Sequence, residues 1–110
     1  MTWGVAAGDQ AVLEYRRIDD TVDYAWGVET SDVGGTPATE LRLSLPEGMV
    51  AATRRYGTHF YADAGTAGVG LALVLAGDPF LRLYKSDLSN WTSTTSDNTR
   101  TGGSIRVRVR

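Results

Sequence analysis

The chain carries several short runs in which apolar and polar residues alternate. In the run 21–29, Val22, Tyr24, Trp26 and Val28 occupy every second position. Alternation with period two places one set of side chains on one face of a β-strand, so this run predicts a half-buried strand with these four side chains in the core. Similar alternation predicts further strands at 11–19, 41–45, 58–63, 69–75, 80–85 and 104–110.

Residues that favour turns separate these runs. Asp19 and Asp20 lie between the first two strands and predict a tight turn, because aspartate tolerates turn conformations. The apolar alternation changes phase before Ile18, so we expect a bulge near Arg16 and Arg17. Elsewhere the sequence predicts loops at 30–39 and 86–103, and a short helix or a loop at 49–55.

The order of these elements predicts the fold class. About seven to nine short antiparallel strands, with no alternation of helices and strands, are typical of an all-β domain of the β-sandwich or jelly-roll type. The chain of 110 residues has the common size of one domain, and it shows no internal repeat and no linker. We therefore expect a single β-sandwich domain over 1–110.

Composition narrows the classes of partner. The chain has 11 basic and 13 acidic residues and a net charge of −2, which indicates no nucleic-acid partner. It has no cysteine, so no disulfide forms and folding in a reducing cytoplasm suits it. The N-terminus shows no secretion signal, and the longest apolar run, 69–76, is far shorter than the roughly 20 residues that span a bilayer. We expect no membrane insertion.

The sequence contains no recognisable catalytic motif. His59 is the only histidine, and no cysteine or carboxylate lies at ligand spacing from it, so we expect it to face solvent or a neighbouring chain. The scattered carboxylates leave a glycosidase pair open, and Asp87, Asp97 and Asn98 leave open a calcium ion. The prediction is a protein that is not an enzyme and binds no cofactor or metal.

The run 69–75 is apolar on both faces. Val69, Leu71, Leu73 and Leu75 form one face, and the small residues Gly70, Ala72 and Val74 form the other. A strand that is apolar on both sides needs cover on both sides. Either a neighbouring subunit covers the small-residue face, as in a homotrimer, or the molecule's own loops cover it.

Two further features predict contact with a ligand or partner. Trp91 is the single aromatic residue in the polar loop 86–103, where it either contacts a partner or caps the core. Arg106, Arg108 and Arg110 alternate with apolar residues in the last strand. This basic row would meet an anionic surface, or it would deter pairing at an exposed strand.

Two motifs add a resemblance to a known family. The run 14–24 contains Tyr15-Arg16-Arg17-Ile18 followed directly by a second strand, and Leu43-Ser44-Leu45-Pro46 follows the Gly- and Thr-rich loop. In this order the chain resembles C-terminal domains of bacteriophage tail-fibre and related virion surface proteins, from Trp3 to Arg110. It departs from the family at Glu14 and Asp19, where glycine is frequent.

The resemblance implies a trimeric β-sandwich without catalytic residues. We expect a component of a phage or prophage virion exterior, made in the host cytoplasm, that acts as a tail-fibre tip or as a capsid decoration module. Its expected partners are copies of itself in a homotrimer, other virion proteins and a glycan of the host surface. The alternatives are a monomeric carbohydrate-binding module and, third, a small hydrolase with a carboxylate pair.

Overall fold

The computed structural model of the protein describes residues 2–4, 10–29, 31–34, 38–93 and 98–110. Within these ranges the chain forms nine β-strands, and every strand pair is antiparallel. The predicted all-β class is confirmed. The strands are β1 Thr2–Gly4, β2 Gln10–Ile18, β3 Thr21–Val28, β4 Asp32–Gly34, β5 Glu40–Ser44, β6 Arg55–Asp63, β7 Thr66–Val74, β8 Phe80–Tyr84 and β9 Arg100–Arg108.

Seven strands form one curled sheet in the order β2-β3-β9-β6-β7-β8-β5, and β1 pairs with β4 in a small second sheet. The curl brings strands from opposite ends of the sheet together. The Tyr24 hydroxyl on β3 donates a hydrogen bond of 3.2 Å to the Ser44 carbonyl oxygen on β5. One face of the sheet is therefore turned inward around a core, and the other faces outward.

The inward face of β3 supplies the side chains that the alternation predicted for the core. Val22, Tyr24, Trp26 and Val28 are each at most 4% exposed, so this prediction is confirmed. The other buried apolar side chains among the described residues are Val33, Leu41, Leu45, Met49, Ala51, Tyr61, Ala72, Val74, Leu81, Leu83, Trp91, Ile105, Val107 and Val109.

The helix considered for 49–55 is absent. A single 3-10 turn, Pro46–Gly48, precedes this segment, and Glu47 within it has a positive φ of 53°. The following backbone bonds to strands and loops instead of to itself: the Ala51 amide donates to the Asp78 carbonyl, and the Ala52 amide donates to the Arg108 carbonyl. Tertiary hydrogen bonds thus replace the local bonds of a helix.

The first hairpin turns where the sequence predicted, but its bulge lies elsewhere. Asp19 has a φ of 54° in the turn that joins β2 to β3, a conformation that aspartate tolerates. The register irregularity falls between Gln10 and Val12, at the far end of β2. The change of apolar phase at Ile18 has another cause: this side chain is on the outer face and is exposed.

Both predicted loops contain strand residues. The loop 30–39 includes β4, and β9 begins at Arg100, inside the segment 86–103. In β9 the glycines Gly102 and Gly103 have low strand propensity, but they lie between β3 and β6 and pair with both. Pairing on two sides outweighs the local preference of glycine for turns.

Candidate interaction surface

His59 lies inside the domain, which corrects the prediction that it faces solvent or another chain. It is 2% exposed and stands on the inward face of β6. Its Nε2 donates to the Tyr84 carbonyl oxygen at 2.8 Å, because a carbonyl only accepts. Its Nδ1 then accepts from the Thr101 hydroxyl at 2.7 Å, and the Thr101 oxygen accepts from Trp26 Nε1 at 3.2 Å.

This network leaves His59 no role as a base or ligand. Burial lowers the pKa of His59, which keeps the ring neutral at neutral pH. Both ring nitrogens are engaged within the domain, so neither is free to bind a metal ion or a substrate. The histidine joins β6 to β9 and to the end of β8.

Glycines make room for this buried layer. A Cβ placed on Gly70 would collide with the Tyr84 carbonyl oxygen and lie 3.0 Å from His59 Nε2. A Cβ on Gly103 would lie 3.2 Å from Trp26 Cζ2. Gly70 is therefore required by close packing between strands.

The small-residue face of β7 is turned into the core, which corrects its assignment to a subunit contact. Gly70, Ala72 and Val74 are all buried, and Ala72 and Val74 have no exposed surface. The curl of the sheet, which the alternation alone does not predict, decides which face points inward. The domain's own core therefore provides the cover that the small-residue face needs.

Trp91 is likewise inside the domain and not at a partner surface. It has no exposed surface, and its Nε1 donates to the Leu83 carbonyl oxygen at 3.2 Å. Its ring centroid lies 5.4 Å from that of Tyr61. Trp91 thus caps the core, the other alternative that the sequence left open.

A buried ion pair holds the segment that carries Trp91. Asp63 is 5% exposed and accepts from Lys85 Nζ at 2.6 Å and from the amide and hydroxyl of Thr92, each at 2.8 Å. Burial acts to raise the pKa of Asp63, but the bonds from Lys85 and Thr92 outweigh it and hold the pKa below its usual range. No pattern in the sequence predicts this cluster, because Lys85 and Thr92 are 22 and 29 residues from Asp63.

The basic row of the last strand is at the surface, as the alternation indicated. Arg106, Arg108 and Arg110 are exposed. Arg106 Nε lies 2.7 Å from an Asp23 oxygen, and Arg108 Nε lies 3.0 Å from an Asp20 oxygen. The hydrogen bond from Arg106 lowers the pKa of Asp23. A contact of this row with an anionic partner stays a prediction.

The clearest apolar surface is on the opposite side of β7 from the small-residue face. We call it the outer β6–β7 face. Phe60 and Val69 are cross-strand neighbours there and are 73% and 51% exposed, and Tyr56, opposite Leu73, is 63% exposed. The half-buried Leu71 and Leu73 complete the face.

A shallow depression of about 560 Å³ adjoins this face. It lies beside Phe60 on β6. Gly102 on β9 pairs with Phe60, and Gly27 on β3 pairs with Gly102, so neither of these strands has a side chain at this position. Glu29 and Arg100 also line it. An apolar ring, a bare backbone floor and charges of both signs at the rim suit binding of another molecule.

Within the described ranges, no group of three or more histidine, cysteine, aspartate or glutamate side chains is arranged to hold a metal ion. Nor does that part of the chain contain a helix of the length and apolarity needed to cross a bilayer. No family model matches the chain, and comparison with curated proteins and with solved structures found none similar to it.

Proposed function

We propose that this protein is a structural, non-catalytic module of a phage or prophage virion exterior, as a tail-fibre tip or a capsid decoration, and that it binds a neighbouring virion protein through the outer β6–β7 face. The exposure of Tyr56, Phe60 and Val69 carries the proposal, since each shows more than half of its surface. The resemblance of the run 14–24 and of Leu43-Ser44-Leu45-Pro46 supports the virion class.

The need of β7 for a second cover supports contact with another chain. The core covers one side of this strand, at Ala72 and Val74, and leaves Val69 exposed on the other. A strand that is apolar on both faces is ordinarily covered on both. The side that still lacks cover is the outward one, so the predicted neighbour belongs there and not on the small-residue face.

The size of the exposed apolar area fits the centre of an interface. An aromatic side chain buries about 150–250 Å² when fully covered, so the exposed parts of Tyr56, Phe60 and Val69 amount to roughly 300 Å². A specific interface buries about 800 Å² per partner, with apolar anchors at its centre and a polar rim. Glu29 and Arg100 would lie in that rim.

The test is incorporation of tagged protein into particles of the source phage or prophage that lack it. Wild type should incorporate, and Phe60→Asp should not, although its thermal unfolding is unchanged because the ring is on the surface. Leu88→Asp is the matched control, since Leu88 is 57% exposed and lies outside the outer β6–β7 face. Equal incorporation of all three proteins, or of none, would reject the proposal.

A second candidate, the monomeric carbohydrate-binding module, is favoured by one observation. Tyr56 and Phe60 present two exposed aromatic rings on the same face of β6. Rings of this kind stack on sugars, which is also how a fibre tip would hold a host surface glycan. Binding on a glycan array that Phe60→Ala abolishes would support this candidate, and its absence would leave the protein contact.

A further inference from the structure

Strand β2 forms one edge of the seven-stranded sheet. It is nine residues long, and among the described strands it pairs with β3 alone. Its other side therefore presents a row of backbone donors and acceptors. Long unpaired edges of this kind readily pair with a further strand. From Leu13 to Ile18 every residue of β2 is exposed, although on the inward face Tyr15 bonds to Glu47 and Arg17 contacts the Met49 sulfur.

The charges on the outward face of β2 are arranged in complementary order. Glu14 and Arg16 are two residues apart and so point to the same face. On β3, Ala25 lies opposite Glu14 and has no charge to pair with the Glu14 carboxylate, whereas Asp23 lies opposite Arg16. The edge thus carries an acidic side chain, Glu14, before Tyr15 and a basic side chain, Arg16, after it.

We propose that two copies of the chain pair antiparallel along β2, with Tyr15 at a twofold axis. In this register Glu14 of each copy lies opposite Arg16 of the other, which gives two oppositely charged pairs on the outward face. On the inward face Tyr15 meets Tyr15, and Leu13 meets Arg17. Opposite charges across a strand pair attract, and equal charges destabilise it.

Charge selects both the occupant and the register. The twofold axis is perpendicular to the sheet, and side chains alternate between the two faces with period two. The two β2 strands can therefore move from the register centred on Tyr15 only in steps of two residues if the inward faces of both copies are to stay on the same side. One shift places Glu14 opposite Glu14, and the other places Arg16 opposite Arg16. Both put like charges face to face, so the register centred on Tyr15 is favoured. Because Glu14 and Arg16 of one copy pair with Arg16 and Glu14 of the other, we infer that the strand that pairs with β2 is the β2 of a second copy.

This inference is independent of the proposed function. In the order of the sheet, β9 and β3 separate β6 from β2, so the outer β6–β7 face stays free when β2 pairs. A twofold dimer of this type is isologous and closed. It would present two outer β6–β7 faces to the particle.

Analytical ultracentrifugation over a range of concentrations tests the pairing. Wild type should dimerise reversibly, and Glu14→Arg or Arg16→Glu alone should raise the dissociation constant about tenfold or more, because each creates two like-charged pairs. The double variant Glu14→Arg/Arg16→Glu restores opposite charges and should recover the wild-type constant. Asp87→Arg, at an exposed loop position, controls for the change in net charge.

A disulfide test locates the axis. The chain has no cysteine, so an introduced thiol can form a protein–protein disulfide only with the same thiol of a second copy, which displaces glutathione from the mixed disulfide that forms first. With oxidised glutathione, Tyr15→Cys should give a covalent dimer, and Leu13→Cys, exposed on the same face of β2, should not cross-link because it faces residue 17 of the other copy. Thermal unfolding is measured for both, since Tyr15 also bonds to Glu47.

Three results would overturn the inference: a wild type that stays monomeric at its highest soluble concentration, a double variant that is not rescued, or equal cross-linking at positions 13 and 15. Phe60→Asp distinguishes the two proposals. If it dimerises normally but does not enter particles, the edge pairing and the outer β6–β7 face act separately. If wild type is monomeric yet enters particles through Phe60, only the edge pairing fails.

Discussion

Replacement of Thr101 by valine tests whether the buried network at His59 stabilises the fold. Thr101→Val keeps the shape of the side chain and removes the hydroxyl that accepts from Trp26 Nε1 and donates to His59 Nδ1. Both groups are buried, so both would lose their partner inside the domain. A buried polar group without a partner costs about 1–3 kcal/mol, which gives about 2–6 kcal/mol for two.

Thr101→Ser is the matched control, because it keeps the hydroxyl and loses only one methyl group. Its expected cost is about 1 kcal/mol. The free energy of unfolding would be measured by urea denaturation at pH 7.5, with an unchanged m-value as evidence that the two states are comparable. If Thr101→Val is no less stable than Thr101→Ser, the buried network at His59 does not stabilise the fold.

Three further predictions concern the core. Burial lowers the pKa of His59 in the folded state, so the free energy of unfolding should be constant above the unfolded pKa of about 6.5. Below that pH it should fall by up to about 1.4 kcal/mol per pH unit until the folded pKa is reached. Urea denaturation at a series of pH values should show this slope, and His59→Gln should lack it above pH ~5. Trp26→Ala should cost about 3–5 kcal/mol in thermal or urea unfolding, and a change within error would contradict its burial. Gly70→Ala should lower the free energy of unfolding by about 3 kcal/mol or more, since its Cβ would collide with the Tyr84 carbonyl oxygen. Gly34→Ala is the control and should cost far less, because no atom lies within 4 Å of the added Cβ. Equal melting temperatures of the two variants would refute the close packing at Gly70.

The strand positions were predictable because alternation reports directly on which side chains share a face. The face of β3 that carries Trp26 was predicted correctly, since all its large side chains lie on one side. The β7 prediction failed for the opposite reason: Val69 and Ala72 lie on different faces and both faces are apolar. Periodicity then gives the strand but not which of its faces points inward.

The interaction surfaces depend on pairings that local sequence does not contain. Phe60 gains its open neighbourhood from Gly102 and Gly27, which lie on two other strands. The opposite charges of Glu14 and Arg16 are visible in the sequence, but they can pair with another chain only because β2 is an edge strand. Which strands become edges follows from the order of the sheet, and loops and chain crossings set that order.

The sequence by itself determined the all-β class, most strand positions and the first turn, because these depend on residues close together in the chain. The tertiary structure decided which faces were buried, since the curl of the sheet turns one side of every strand inward. It also decided the role of the polar residues. Asp63 and His59 had no visible partners in the sequence, because theirs lie more than twenty residues away. Burial then favours those contacts strongly, since an unpaired polar group inside a protein costs a sizeable part of the stability of a domain.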